Sequence, residues 1–216
     1  MTRPVKPDGV SYPRRSERAR LTRRRVIGAA RDLFLERGYV ASSIASIAGR
    51  ADVSPETIYS VFGTKRALLS EVVDLAISGE AEPVAILDQA WVQALRKEPD
   101  ARRRLRILAQ AGSAILQRRA AVDEVVRGAA TADPAIAALQ RRGQEQRLAG
   151  QRELLRIVFR DGGLRDGLQL DAAADILYAV GSPQTYRLLV VDRGWTAERF
   201  ERWYRDTLER LLLDSG

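Results

Sequence analysis

The pair Ser54-Pro55 constrains the fold more than any other feature of the sequence, because it marks where a helix begins. A serine before the first helical residue accepts a hydrogen bond from a backbone N–H, and proline at the first position loses no bond, since that N–H has no partner there. Just before this pair, Ile44, Ile47 and Ala48 recur at the spacing of one helix face. The sequence therefore predicts two short helices joined by a turn at residues 51–53.

The second short helix would carry a polar outer face. Ile58 and Phe62 lie four residues apart and would point inward. The opposite face consists of small and hydrogen-bonding side chains: Pro55, Glu56, Thr57, Tyr59 and Ser60. Two helices joined by a short turn, the second with such a face, form the helix-turn-helix pattern that reads DNA. Helical domains that bind no DNA share this geometry, so the spacing alone also allows a helical scaffold without a DNA target.

The distribution of charge favours DNA binding. The chain has 216 residues and a formal net charge of +8. Residues 1–66 hold 14 basic and 6 acidic side chains, whereas residues 67–216 hold 22 of each. All the excess positive charge therefore lies on the helix-turn-helix end, as expected of a segment that binds a polyanion and is attached to a neutral domain.

Composition argues against an enzyme. The chain has no cysteine and no histidine, which excludes disulfides, thiolate or imidazole metal sites, a cysteine nucleophile and a histidine base. No carboxylate pair falls in a recognisable catalytic motif, and no glycine-rich loop could cradle a phosphate. We therefore predict no enzymatic activity, no metal and no cofactor. Since no stretch reaches the roughly 18 apolar residues of a membrane span and the N-terminus lacks an apolar leader, we expect a cytoplasmic protein without a membrane partner.

The segment from Thr22 to Val73 resembles the DNA-binding domain of TetR-family transcriptional regulators. The residues that carry the resemblance are Gly38-Tyr39, Ser42-Ser43-Ile44, Ile47-Ala48, Val53-Ser54, Thr57-Ile58-Tyr59, Phe62, Thr64-Lys65 and Ala67-Leu68. One departure is Val61, because members often have a histidine there that contacts a phosphate.

The resemblance implies an all-α protein of three parts. Residues 1–17 would be a flexible basic tail, which either follows the DNA backbone or is only a solvated extension. Residues 18–66 would form a three-helix DNA-binding domain. Its first helix would be capped by Thr22 and stopped by Gly38. Residues 67–216 would form a larger helical domain for ligand binding and dimerisation, entered through a helix that Thr64 caps.

The resemblance and side-chain chemistry together assign roles on the DNA. Thr22, Ser43, Ser54, Tyr59 and Lys65 would contact phosphates. The side chains expected at base edges are Ala45, Pro55, Glu56 and Thr57, with Ser60 on the same polar face. Ser54 is also a helix cap worth about 1 kcal/mol, so losing it could weaken binding without any direct contact.

Helical patterns continue to the C-terminus. We predict helices over residues 83–97, 100–127, 134–160, 172–180 with Asp171 as cap, 183–192, and from the cap Thr196 onwards. In the resembling family the last two helices pack against those of a second subunit. This implies a homodimer whose interface includes Leu188, Phe200, Trp203, Tyr204 and Leu208. A stripe buried inside one chain explains the same periodicity.

Members of the family commonly hold a small ligand among the middle helices. The residues expected to line such a site are Trp91, Leu108, Gly112, Ile115 and Tyr178, and we predict a mainly apolar pocket. Gly112, Gly143 and Gly150 lie within predicted helices and either leave room for a ligand or permit close helix crossing. The sequence thus predicts a transcriptional regulator, a repressor released from a near-palindromic operator by an unknown small molecule. Activation instead of repression stays open.

Overall fold

Helices dominate the part of the chain that the computed structural model describes, residues 15–79 and 85–214, and no β-strand occurs in those ranges. The predicted all-α class is therefore confirmed. Residues 1–14, which make up most of the predicted tail, lie outside the described residues. None of the helices within the two described ranges combines the length and the apolarity needed to cross a membrane.

The α-helices are α1 (Arg15–Ala41), α2 (Ile44–Ala51), α3 (Pro55–Phe62), α4 (Lys65–Ser78), α5 (Ala90–Lys97), α6 (Ala101–Ala130), α7 (Pro134–Val158), α8 (Leu170–Val180), α9 (Pro183–Tyr186) and α10 (Ala197–Leu212). A short 3₁₀ turn, Ile86–Asp88, precedes α5, and a π-helical segment, Arg187–Asp192, continues α9.

The helix-turn-helix forms where the local signals place it. The Ser43 hydroxyl accepts a hydrogen bond from the Ser46 N–H and begins α2, and the Ser54 hydroxyl accepts one from the Thr57 N–H and begins α3. Between them, Asp52 adopts a left-handed conformation with φ of 51° that ends α2. Aspartate tolerates this conformation better than most residues, which explains the sharp turn.

The first helix starts earlier than predicted. It begins at Arg15, so Thr22 lies two turns inside it and is not its cap, and residues 15–17 of the predicted tail are helical. No proline or glycine interrupts residues 15–22, and the acidic Glu17 in the first turn favours a helix start there. The predicted break at Gly38 is present, because its φ of 77° and ψ of 167° are not helical values. The helix resumes after Gly38 and ends at Ala41.

Two other boundaries also differ. The helix predicted from residue 83 begins at Ala90, after the 3₁₀ turn. The helix that Asp171 was expected to cap begins at Leu170, with Gln169 in the cap position. Asp171 lies instead in the first turn, where a negative charge complements the partial positive charge of the helix start. The N-caps Thr64 and Thr196 are as predicted, and Asp100 and Asp133 cap α6 and α7.

The hydrophobic side chains form two cores that α6 joins. The first core lies under the helix-turn-helix and includes Val26, Ile27, Leu33, Phe34, Ile47, Ile58, Phe62, Leu68, Leu69 and Val72, together with Val122 and Val126 of α6 and Ile136 of α7. We call α1–α4 the head. Because α6 and α7 complete the core of the head, packing continues across the predicted boundary at residue 66.

The second core is built from α5 to α10 around the first half of α6, and it surrounds one charged side chain. Arg104 is only 1% exposed, yet its Nε donates to the Val158 carbonyl at 2.6 Å and its Nη1 lies 3.0 Å from the Asp161 carboxylate. A buried guanidinium is tolerated only when its donors are satisfied in this way. Arg104 thereby fixes the end of α7 against the start of α6.

Candidate nucleic-acid interface and internal cavity

The structure gathers most of the predicted DNA-contacting residues on α2, α3 and their caps. Glu56, Tyr59 and Ser60 are exposed on α3, and the apolar side of the helix is sealed, since Ile58 is 1% and Phe62 8% exposed. Ser43, Ala45 and Ser54 are also exposed, while Pro55 and Thr57 are partly exposed. The result is a polar surface on a support whose apolar face is fully packed.

Several hydroxyl groups on this surface already have partners in the head. The Ser54 hydroxyl is 3.2 Å from the Thr57 hydroxyl, and the Ser43 hydroxyl donates to that of Ser46 at 3.2 Å. Hydrogen bonds to its own backbone N–H and to Ser54 lower the pKa of Glu56. Glu56 is therefore an ionised acceptor at the start of α3, available to a donor such as an amino group on a base.

Arginines hold the two short helices against α1. Arg25 donates to the carbonyls of Ala51 and Asp52 at 2.8 and 2.9 Å, which caps α2 at the turn that leads into α3. Arg50 forms a two-pronged bond to Glu36, at 2.6 and 2.9 Å. No local pattern predicts either contact, because the partners are 26 and 27 residues away for Arg25 and 14 residues away for Arg50.

Lys65 has a different position from the one expected of a phosphate ligand. Its ammonium donates to the carbonyls of Tyr39 and Ser42, both at 2.9 Å, and lies 4.2 Å from the centre of the Tyr39 ring. Burial lowers the pKa of Lys65. Two of its three N–H groups are used to tie α4 to the end of α1, so only the third is left for a phosphate. Lys65 is therefore an internal tether, and its contact with a phosphate through the third N–H stays a prediction.

A cavity of about 780 Å³ lies among α4, α6, α7 and the junction of α8 and α9. All five residues predicted for a ligand site line it: Trp91, Leu108, Gly112, Ile115 and Tyr178. Most of the cavity wall is apolar, as predicted, but it carries more polar groups than expected. Polar and charged side chains reach the cavity from three helices: Asp74, Arg119, Asp123, Gln140, Gln144, Arg147 and Gln151. On α7 these residues have the pattern of a solvated face, and only the packing shows that this face looks inward.

The charged groups in the wall are mostly held by other parts of the protein. Arg119 Nε lies 2.8 Å from Asp123 Oδ2, and burial raises the pKa of Asp123 although Arg119 opposes this. The Arg147 guanidinium lies 3.7 Å from the centre of the Tyr178 ring and donates to the carbonyls of Tyr178 and Gly181 at 3.3 and 3.2 Å. A cation at the end of α8 is favoured by the helix dipole.

Gly112 and Gly143 lie near the cavity, and the absence of a side chain has a different effect at each. A Cβ on Gly112 would lie 3.2 Å from the Tyr204 ring, so close approach of a side chain explains that residue. A Cβ on Gly143 would have no other heavy atom within 4 Å, although Gly143 lines the cavity. Gly143 therefore leaves open space, whereas Gly112 admits Tyr204.

The predicted dimer interface requires a correction. Phe200, Tyr204 and Leu208 are at most 2% exposed and lie in the second core of their own chain, with the Phe200 ring 4.7 Å from that of Tyr186. These three side chains are not available to a partner, because their own α10 faces α6 and α8. Leu188 is 56% exposed on the π-helical segment, and Trp203 is partly exposed. Only these two of the five predicted residues reach the surface.

Known sequences resemble parts of this chain. Residues 26–72 match the family described as bacterial regulatory proteins, tetR family. The HTH-type transcriptional repressor BdcR of Escherichia coli (strain K12) is 36% identical over 59 residues, which are 27% of this chain and 30% of BdcR. The HTH-type transcriptional regulator UidR of the same organism is 33% identical over 70 residues, or 31% of this chain and 36% of UidR. The match thus covers about a third of these relatives.

Solved structures resemble the chain over nearly its whole length. A putative transcriptional regulator from Saccharomonospora viridis in complex with choline is 25% identical, covers 88% of this chain and 97% of its own, and has a TM-score of 0.65. NalD, the secondary repressor of the MexAB-OprM multidrug efflux pump in Pseudomonas aeruginosa, is 18% identical, covers 93% and 100%, and has a TM-score of 0.67. The likeness to NalD shows the fold alone.

Replacing Lys65 tests its role as a tether. Lys65→Met keeps the aliphatic stem but leaves the carbonyls of Tyr39 and Ser42 without their charged donor. We expect the free energy of unfolding to fall by about 1–3 kcal/mol, measured by urea denaturation. Arg66→Met, at the exposed neighbouring position, is the control and should change stability by less than about 0.5 kcal/mol. Equal stability of the two variants would contradict the tether.

Proposed function

We propose that this chain, whose residues 26–72 match the TetR family of bacterial regulatory proteins, is a repressor that binds a near-palindromic operator as a homodimer. A small molecule in the cavity releases it. The observation that carries the proposal is the polar outer face of α3, presented on a sealed apolar support in the part of the chain, residues 1–66, whose charges account for the whole net charge of +8. Its proposed partner is chromosomal DNA, and we place the protein in the cytoplasm for that reason.

The recognition helix α3 enters the major groove in this proposal. Glu56 and Thr57 face base edges, with Pro55 and Ala45 beside them, where a carboxylate accepts from a cytosine amino group and a threonine contacts a thymine methyl. Ser43, Ser54, Tyr59 and Ser60 lie around this centre and contact the backbone. Thr22 stays a proposed phosphate contact on α1. Since phosphate contacts dominate affinity, binding falls steeply as salt rises.

A second copy supplies the second recognition helix. One α3 of eight residues reads one short half-site, so useful specificity requires two half-sites about one helical turn apart or a small multiple of that distance. The exposed apolar side chains of the π-helical segment, Leu188 and Val191, together with Trp203, form the surface that we propose for the dimer. Exposed apolar patches of this kind commonly mark interfaces.

The cavity is the proposed effector site. Its volume suits a small organic molecule, and its wall mixes apolar groups such as Trp91 with glutamines and ion pairs that would orient a polar head. A structurally similar regulator holds choline, which supports a small-molecule effector here. Helix α4 contributes to the cavity through Asp74 and Ile77 and to the core of the head through Leu68 and Leu69. A ligand that favours one position of α4 thereby shifts the population of head positions.

Binding to DNA is the experiment that tests this function. We expect purified protein to bind one intergenic fragment flanking its own gene at least about a hundredfold more tightly than a scrambled duplex, with a salt-dependent affinity and two footprinted half-sites. Thr57→Ala should reduce this discrimination more than it reduces binding to the scrambled duplex. Equal weak binding to every duplex would favour the alternative of a helical scaffold without a DNA target. Reporter expression with and without the protein distinguishes repression from activation.

Charge on the π-helical segment should disrupt the dimer. Leu188→Glu places two carboxylates in the proposed apolar contact, so we expect light scattering after gel filtration to give the mass of one chain where the unmodified protein gives two. Affinity for the footprinted fragment should fall at least about tenfold, because each recognition helix then binds alone. Leu21→Glu is the control for mass, since Leu21 is 49% exposed on α1. A Leu188→Glu dimer would place the interface elsewhere.

Filling the cavity should block a ligand without harming DNA binding. Gly143→Leu directs a side chain into open space, so we expect binding of the fluorescent dye 1-anilinonaphthalene-8-sulfonate to weaken at least about fivefold. Affinity for DNA should stay within about twofold, and any release of DNA by the dye should disappear. Ala149→Leu, at an exposed position of α7 that does not line the cavity, is the control. Unchanged dye binding by Gly143→Leu would show that the dye binds outside the cavity.

A further inference from the structure

Arg23 brings three helices of the head together at one point. It lies on α1, and its Nη2 is 2.5 Å from Oε1 of Glu71 on α4. Its guanidinium carbon is 4.8 Å from the centre of the Phe62 ring, and Phe62 is the last residue of the recognition helix. The side chain of Arg23 is 36% exposed and that of Glu71 25%, so the pair lies at the edge of the core.

Glu71 is an unusual residue for this place. Its second carboxylate oxygen, Oε2, is buried and has no hydrogen-bond partner. A buried carboxylate oxygen without a partner is unfavourable, and a negative charge in a head that binds a polyanion opposes binding as well. Buried polar groups without partners are few in native structures, and each needs an explanation. The contact with Arg23 explains why a carboxylate is present here, because it fixes the guanidinium that packs on Phe62.

Helix α1 holds the recognition helix at both ends. Arg25 bonds to the carbonyls of Ala51 and Asp52, just before α3 begins, and Arg23 lies over Phe62, where α3 ends. Of these two contacts, that of Arg23 is linked directly to α4 through Glu71. One turn further along α4, Asp74 lines the cavity. The turn of α4 from Glu71 to Asp74 therefore touches both the cavity and the support of α3.

We propose that Arg23 and Glu71 are positioning residues for operator recognition, which fix the end of α3 relative to α4. The inference rests on the proposed function, since it concerns how the same head reads DNA. In this arrangement Arg23 acts through Phe62 and is not a phosphate contact. Arg24 is exposed on the same helix, and it serves as the comparison for a cation that would act on the phosphates directly.

For Glu71→Gln, the proposal and long-range electrostatics predict opposite changes in affinity for the operator fragment. The substitution removes a negative charge from the head, so long-range electrostatics alone would strengthen binding to every duplex. We expect instead that affinity for the footprinted fragment falls about three- to tenfold, while affinity for a scrambled duplex is unchanged or rises. The slope of affinity against salt concentration should not change. Asp32→Asn, at an exposed position of α1, is the matched control and should leave the ratio of the two affinities unchanged.

A double-mutant cycle separates positioning from phosphate contact. Arg23→Gln should lose the same three- to tenfold with an unchanged salt slope, and the double variant with Glu71→Gln should lose little more than either single one. Arg24→Gln should weaken all duplexes, reduce the salt slope and add fully to Glu71→Gln. An Arg23→Gln variant that behaves like Arg24→Gln would overturn the proposal. If Glu71→Gln is unfolded at the assay temperature, Arg23→Lys, which keeps the charge but lacks the planar fork, should show the same loss of discrimination.

The two levels of the proposal fail differently. An unmodified protein that does not distinguish the fragment from the scrambled duplex overturns the proposed function, and this inference with it. If the unmodified protein distinguishes the two duplexes and a folded Glu71→Gln variant distinguishes them equally well, only the positioning role is overturned. Thermal melting of each variant establishes that it is folded at the assay temperature.

Discussion

Burial of one face of α4 in the head is the contact on which the rest of the structure depends. Leu68, Leu69 and Val72 are at most 1% exposed, and burying side chains of this kind contributes about 1.5–3 kcal/mol each. The same helix turns Asp74 and Ile77 towards the cavity. Since packed interiors deform little, a change in the cavity wall that moves α4 must also move the core of the head. The regulatory proposal therefore needs no element beyond this shared helix.

Cations at helix ends secure this arrangement. Arg25 bonds to the end of α2, Arg118 to the carbonyls of Ala76 and Ile77 at the end of α4, and Arg147 to the end of α8. The last carbonyls of a helix have no partner within the helix and carry a partial negative charge. A guanidinium from a neighbouring helix supplies the missing hydrogen bonds and a compensating positive charge. Part of the basic composition thus serves the fold. The count of arginines in the head consequently overstates how many face DNA.

The aromatic residues of α10 illustrate how a pattern can fit two structures. Their periodicity suits a dimer interface and an intrachain core equally, and burial of Phe200, Tyr204 and Leu208 decides for the core. The surface that is left for a partner is smaller and lies on the π-helical segment, with Leu188 and Val191. A π-helical turn places its side chains differently from an α-helix, so helical periodicity does not predict which of them point outward.

By itself, the sequence determined the helix starts at Ser54, Thr64 and Thr196 and the polar face of α3, because caps and helix faces depend on residues at most four positions apart. It also determined that the excess charge lies on the helix-turn-helix end. Only the tertiary structure decided that the Lys65 ammonium binds the carbonyls of residues 39 and 42 and that the polar side of α7 faces a cavity. These outcomes depend on which faces meet across distances of 20 residues or more in the chain, and no local pattern of side chains records that choice.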